Sequence, residues 1–447
     1  FQCLFELVII DINDVKKSTW LRYQYSNYIC ILINEIQFLM MNEKVWIVGL
    51  GAMSSIGNNV AENFNALMNL QSGIGACTIL NTIHQETLPV CEIKLSNETL
   101  AEMAGMKLHL PRAVYFSAIA SQEALMQFKS CISESDYHDL RIGFLSGNTI
   151  GGMDLSENFY ADFLNDQSSG HLKEVVHHEC GAITALVASH LNISHYVSTL
   201  STACSSSANA IIQGSKLLKH DKLDVVLVGG TDALCRFTLN GFNTLMILDN
   251  QPCKPFDENR KGLNLGEGAG YVVLISDRIK NKFSIEPIAE VSGYANANDA
   301  FHQTASSAEG NGNYMAMEQA LQMSKLQPYQ IDYINAHGTG TANNDASEGI
   351  AIERLFKEQT PLVSSTKANT GHTLGACGGL EAVYCCLSLQ HQVVYPSLRI
   401  DTPMKEFTFK INQAIIKDQK INHVMSNSFG FGGNCTSLIF SNPKEQL

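Results

Sequence analysis

Cys204 is the residue of this chain best placed to act as a nucleophile. It lies within Tyr196–Leu218, YVSTLSTACSSSANAIIQGSKLL. Val197 and Leu200 before it read as the end of a buried strand. Ala208, Ala210, Ile211, Ile212, Leu217 and Leu218 after it have the spacing of an amphipathic helix. Ser205–Ser207 put small residues at the helix start, where the first backbone N–H groups lack partners. A thiol there feels the positive end of the helix dipole, which favours the nucleophilic thiolate. Small neighbours (Ala203, Ser205, Ser206) leave room for a thioester. A buried structural cysteine has the same local pattern, and the rest of the chain decides between the two.

Two histidines share a setting of their own. His337 follows the apolar segment Ile331–Ala336 and opens HGTGT. His372 lies in TKANTGHTLGACGG, behind Leu362–Ser365 and five residues after Lys367. With the glycine loop Phe429–Gly433, these make four strand ends rich in small residues. In a duplicated α/β body, equivalent strand ends fall close together, so the four can converge on one pocket. Histidines can donate hydrogen bonds to developing negative charge or move protons, and a thiolate needs an electrophile. Glycine-flanked N–H groups can form an oxyanion hole. Such a set suits acyl transfer from thioesters.

The elements that must position these groups are legible as a repeated grammar. Val45–Leu50 reads as a strand, Gly51–Gly57 as a turn and Asn58–Leu70 as a helix. A helix follows Pro111, a residue suited to a first helical turn. Arg141–Leu145 is a strand ending in SGNTIGG, Cys180–Leu191 a helix, and Asp224–Val228 a strand buried on both faces. The C-terminal part repeats the order with strand Ile285–Ser292, helix Asn313–Ser324, strand Ile331–Ala336, strand Leu362–Ser365, helix Leu380–Leu389 and strand Val424–Ser426. Two similar α/β halves account for the length.

Composition agrees. The 447 residues are 45% hydrophobic, with 33 Gly and only 10 Pro, which suits many tight strand–helix turns. A net charge of −13 argues against a nucleic-acid partner. Thirteen cysteines without small-scaffold spacing fit a reducing cytoplasm. No CxxC pair or HExxH supports a zinc site, and adjacency alone does not make His177, His178 and Cys180 one. Residues 1–40 differ from the rest, and their short apolar runs fall below the roughly 20 residues of a membrane span. They read as an upstream extension, with the functional protein expected to start at Met40 or Met41.

STACSSSA, NAHGTGTANNDASE, SSTKANTGHTLGACGGLEA and NSFGFGGN closely resemble the four signature blocks of elongating β-ketoacyl–acyl-carrier-protein synthases, the type II condensing enzymes of the thiolase superfamily. The resemblance runs from about Val45 to Ser441. It implies an α/β fold of two thiolase-like βαβαβαββ halves, 41–284 carrying the cysteine and 285–447 both histidines, layered α-β-α-β-α. Cys204 would take an acyl group from a phosphopantetheine thioester of acyl carrier protein, with the N–H groups of Cys204 and Phe431 as oxyanion hole. His337 and His372 would assist malonyl decarboxylation and stabilise the enolate. Lys367 would act beside His372, paired with Glu348 or Glu381. Thr339 and Thr341 would support the site, and Phe431 would gate it. Ile150, Phe242 and Phe429 would line the acyl pocket. No metal, nucleotide or redox cofactor is implied. The expected partners are acyl carrier protein and a second synthase subunit, in a homodimer or heterodimer, with neither nucleic acid nor membrane.

Several departures from the family pattern bear on specificity. Asn165–Cys180 is shorter and more polar than its counterpart, and the last loop reads GFGGNCTS, with Cys435 expected to be a packed small residue. Asn243–Leu248 lacks the arginine that several relatives place near the carrier-protein entrance. Lys107, Arg112, Arg260 and Lys261 are the basic residues available as a docking patch. Two other readings compete: a non-condensing partner subunit of the chain-length-factor type, and a thiolase-like CoA enzyme. The retained Cys204, His337 and His372 count against the first, and the lack of a suitable second cysteine against the second.

Overall fold

The computed structural model describes residues 43–446; the segment 1–40 lies outside them. The first group of elements is β1 (Val45–Ser54), α1 (Arg112–Lys129), β2 (Ile142–Gly147), α2 (Cys180–His190), β3 (Tyr196–Leu200), α3 (Ser206–Lys219), β4 (Val225–Asp232) and β5 (Gly268–Ser276). The second is β6 (Ala289–Asn298), α4 (Asn311–Ser324), β7 (Tyr333–Asn335), α5 (Ala342–Phe356), β8 (Leu362–Ser364) and α6 (Cys377–His391). It continues through the small pair β9 (Val393–Val394) and β10 (Ile416–Lys417) to β11 (His423–Gly430) and β12 (Asn434–Ser441).

Strand order shows the duplication directly. The large sheet runs β3-β2-β4-β5-β1-β6-β12-β11-β7-β8. Counted outward from the middle, each side takes its first, fifth, fourth, second and third strand in turn. At the seam, β1 and β6 share only the pairs Trp46–Glu290 and Ile47–Ala289. β2 is parallel to β3 and β4, and β7 to β8 and β11. Parallel neighbours need crossover helices, and these become the layers.

Alternation along the strands sets those layers. Val45, Ile47, Val226 and Val228 face a central core shared with α3, α6 and the strand residues Val424, Leu438 and Phe440. Trp46, Val48, Val225 and Leu227 face outward onto α1, while Met425 and Ile439 face outward onto α4 and α5. Helices α3 and α6 are therefore sandwiched between the two five-stranded halves of the large sheet, each covered on its other side, giving α-β-α-β-α. Every residue of α6 from Cys377 to Leu389 is buried, as a helix apolar on all sides requires.

Three local expectations shift. β1 does not end at Leu50 but runs through Gly51 to Ser54. A Cβ on Gly51 would lie 1.8 Å from the Ala120 carbonyl oxygen, so this glycine lets α1 settle on the strand; it does not turn the chain. β3 is an edge strand with Tyr196 and Val197 exposed, not a buried one. The strand placed at Ile285–Ser292 lies four residues later, at Ala289–Asn298. Among the described residues, no helix is long and apolar enough to cross a membrane.

Candidate active site

Cys204 sits on a strained turn between β3 and α3. Ala203 has a left-handed φ of 53°, which a non-glycine residue adopts only when its surroundings enforce it. Enforcement comes from serines: Ser205 Oγ donates to Thr202 O (2.7 Å), Ser206 Oγ donates to Ala203 O (2.6 Å), and Thr202 N–H donates to Ser206 Oγ (2.9 Å). Gly430, at the end of β11, packs on the same turn. A Cβ there would lie 3.0 Å from Cys204 N.

The His337 turn is built on two carboxylates of α5. Glu348 accepts the N–H groups of His337 and Gly338, each at 2.8 Å. Asp345 accepts those of Thr339 (2.9 Å) and Gly340 (3.1 Å). Both acids are fully buried. Desolvation pushes the Glu348 carboxyl up to about 7, against the pull of those N–H donors. Thr339 and Thr341 hydroxyls meet at 2.9 Å. Burial first, then the charges of Lys367 and His372, depress the His337 pKa well below its usual range and favour the neutral ring.

His372 follows the short helix Lys367–Thr370 through Gly371, whose φ is 68°. Leu374 N–H donates to its Nδ1 at 3.0 Å. That bond assigns Nδ1 as acceptor and leaves Nε2 to carry the proton of the neutral ring. Gly375 N–H donates to the buried Asp232 at 2.7 Å, and Asp232 also accepts from Thr149, so the turn is tied to the loop after β2.

These three strand ends meet. Cys204, His337 and His372 are 6%, 2% and 2% exposed, and their thiol and ring-nitrogen atoms lie within 4.8 Å of one another. The imidazoles are edge to face, with centroids 5.4 Å apart. Lys367 is fully buried and ion-paired with Glu381, which selects Glu381 over Glu348 as its partner. Burial works against the lysine's charge, and the carboxylate more than offsets it, holding the ammonium above its ordinary range. Phe431 stacks on Phe242 at 5.7 Å, and Phe429 lies 6.2 Å from His337. A cleft of about 330 Å³ collects Cys204, both histidines, Phe242, Phe429, Phe431, Thr339, Thr341 and Lys261.

Other expected residues lie elsewhere. Ile150 lines a neighbouring, more open pocket with Met153, Cys180 and Phe237. Lys107 is exposed, as is Lys261 at the cleft itself. Arg112 and Arg260 are not docking residues, because neither offers its charge to solvent. Arg112 is buried against Glu267 at 2.9 Å. Arg260, with its side chain 5% exposed, donates to the carbonyls of Asp257, Thr341 and Ala342. Cys435 is buried, and desolvation pushes its thiol up to about 12, so it is a packed residue and not a second nucleophile. Sequence reasoning placed Gly430 only as part of the glycine loop Phe429–Gly433, and it missed Asp345 and Asp232. Only Asp345 carried a signal: an acid three residues before Glu348, at the start of the helix after HGTGT.

A thiol on a strand–helix turn, faced by histidines from equivalent strand ends of a mirrored α/β body, defines the thiolase-like class. Residues 42–278 match the model for the beta-ketoacyl synthase N-terminal domain, and 288–401 that for the C-terminal domain. The 3-oxoacyl-[acyl-carrier-protein] synthase 2 of Staphylococcus aureus (strain COL) is 31% identical over 415 residues, covering 90% of this chain and 99% of its own. The protein of that name from Rhizobium meliloti (strain 1021) is 32% identical over 422 residues, covering 89% and 98%. The solved ketosynthase (ApeO) in complex with its chain length factor (ApeC) from Xenorhabdus doucetiae aligns with a TM-score of 0.74, at 32% identity over 90% of this chain and 98% of that one. The chain belongs to the beta-ketoacyl synthase family.

Proposed function

We propose that this chain is an acyltransferase that condenses an acyl thioester with malonyl-acyl-carrier protein, losing CO₂ and giving a β-ketoacyl thioester. The observation that carries the reading is the convergence of Cys204, His337 and His372 within 4.8 Å in one cleft. Cys204 gives up its thiol proton and attacks the acyl carbonyl as the thiolate, the N–H groups of Cys204 and Phe431 hold the oxyanion, and the carrier sulfur leaves as a thiol with the proton that Cys204 gave up. Malonyl thioester then enters. Its carboxylate departs as CO₂ while Nε2–H of His372 and neutral His337 donate to the enolate oxygen that develops. The enolate carbon attacks the Cys204 thioester, and the thiolate is released. Lys367, held charged by Glu381, supplies positive potential beside both rings. Phe431, stacked on Phe242 and followed by glycines, gates the acyl side.

The division into 41–284 and 285–447 is supported by the mirrored strand order. A homodimer or heterodimer with a second synthase subunit is supported by the exposed Tyr196 and Val197 on edge strand β3, and by the exposed Phe237 beside Thr199 and Ser201. The ketosynthase–chain length factor pair from Xenorhabdus favours the heterodimer, and with it a specialised pathway for polyene or polyketide-like lipids over housekeeping fatty-acid elongation. A cytoplasmic setting is supported by eleven free cysteines among the described residues.

Separating the half-reactions tests the assignment. His337→Ala and His372→Ala should still form acyl-Cys204 but release CO₂ from malonyl-carrier protein at least about a hundredfold more slowly. Loss of acylation with decarboxylation intact would reverse the roles.

A further inference from the structure

Polarity changes along the cleft in a definite order. Its floor, Cys204, His337, His372 and Thr339, is buried, while Thr341, Asn344 and Ser306 above it are half-buried and neutral. Lys261, Asn343, Thr304 and Met246 form its exposed mouth. Apart from Cys204 and the histidines, Lys261 is the one ionisable side chain among the described lining residues.

Lys261 is also unengaged where its neighbours are not. Lys254 pairs with Asp401, Lys405 with Glu258, and Arg399 donates to the carbonyls of Cys253 and Ala368. Lys261 has no hydrogen-bond or ion-pair partner among the described residues, although the chain carries a net charge of −13. Its backbone, in contrast, is pinned on both sides. Arg260 holds the carbonyls of Thr341 and Ala342. Gly262 lies so close to the next strand of chain that a Cβ would sit 2.5 Å from Ile247 O, and Leu263 N–H donates to that same oxygen at 2.9 Å. A free ammonium on a fixed stem, at the mouth of an otherwise neutral cleft, is a built-in point charge.

We infer that Lys261 binds the phosphodiester of the phosphopantetheine arm, and not the protein part of the carrier. The inference rests on the reaction proposed above. The arm presents a thioester, then two neutral amides, then one phosphate, and the cleft presents its groups in that sequence: thiol and imidazoles, neutral hydroxyls and amides, one cation. A protein-docking patch would need several exposed charges, whereas Arg112 and the side chain of Arg260 are withdrawn from solvent.

The test compares acyl thioesters of free phosphopantetheine and of pantetheine, which differ only by the phosphate, as acyl donors to Cys204. The readout is the ratio of their kcat/KM values, which cancels any general loss of folding. Wild type should favour the phosphorylated ester by about tenfold at low salt, less as salt rises. Lys261→Ala should bring the ratio to near one, and Lys261→Glu should invert it. A ratio left at the wild-type value in both variants would overturn the inference. So would weakened use of the intact carrier protein with the free-ester ratio unchanged, because the charge would then serve protein docking. If wild type acylates Cys204 from no ester and no carrier protein, the reading of the reaction falls first and this inference with it.

Discussion

Glu348 holds the backbone of His337 in place: one carboxylate oxygen accepts the histidine N–H and the other that of Gly338, each at 2.8 Å. An amide cannot replace it, since Glu348→Gln would turn an NH₂ toward one of two N–H donors. That variant should lose about 1–3 kcal/mol of stability and most condensation activity, read by denaturant unfolding and by β-ketoacyl product. The wild type carries a pH signature. Folding raises this carboxyl from 4.5 to about 7, so the folded state binds the proton more tightly than the unfolded chain. The stability it contributes is full below pH 4.5 and is lost as pH rises toward 7. Glu348→Gln should flatten that part of the stability profile.

Lys367 and Glu381 should be separable into a structural and a chemical effect. Lys367→Met leaves a buried carboxylate unpaired and should cost about 3–5 kcal/mol. Adding Glu381→Leu should restore most stability but not condensation. Lys367 also depresses the His337 pKa. In the double variant the ring therefore protonates at higher pH, and the acidic limb of the pH–rate profile should move upward. Recovery of full activity along with stability would assign the pair to folding alone.

The thiol and histidines were legible in the sequence because strand ends flanked by Gly, Thr and Ser leave a polar side chain few structural tasks. What was not legible depended on partners distant in the chain. Arg112 reads as a surface cation until Glu267, 155 residues away, is found against it. Arg260 reads likewise until the carbonyls of Thr341 and Ala342 are seen to hold it. Gly51 reads as a turn because a glycine required by a helix crossing has no separate sequence signature. β3 has the composition of a buried strand, and nothing within five residues marks it as an edge.

Gly430 should matter through contact and not through conformation. A Cβ at this position would lie 3.0 Å from Cys204 N and 3.3 Å from Thr202 O. Gly430→Ala should displace the nucleophile turn and slow Cys204 acylation by about tenfold, for a stability loss of about 1–3 kcal/mol. Gly241 has open space around its Cβ position, so Gly241→Ala is the matched control and should acylate normally.

The central claim is that Cys204 carries the acyl group and gives it up to a carbanion made in the same cleft. Intact-protein mass spectrometry tests it, following wild type and Cys204→Ala first with acyl-carrier protein and then with malonyl-carrier protein. The account predicts an acyl adduct on wild type only, disappearing in step with one β-ketoacyl-carrier protein formed per adduct lost. Product formed by Cys204→Ala, or a wild-type adduct that hydrolyses to free acid without any β-ketoacyl product, would contradict it.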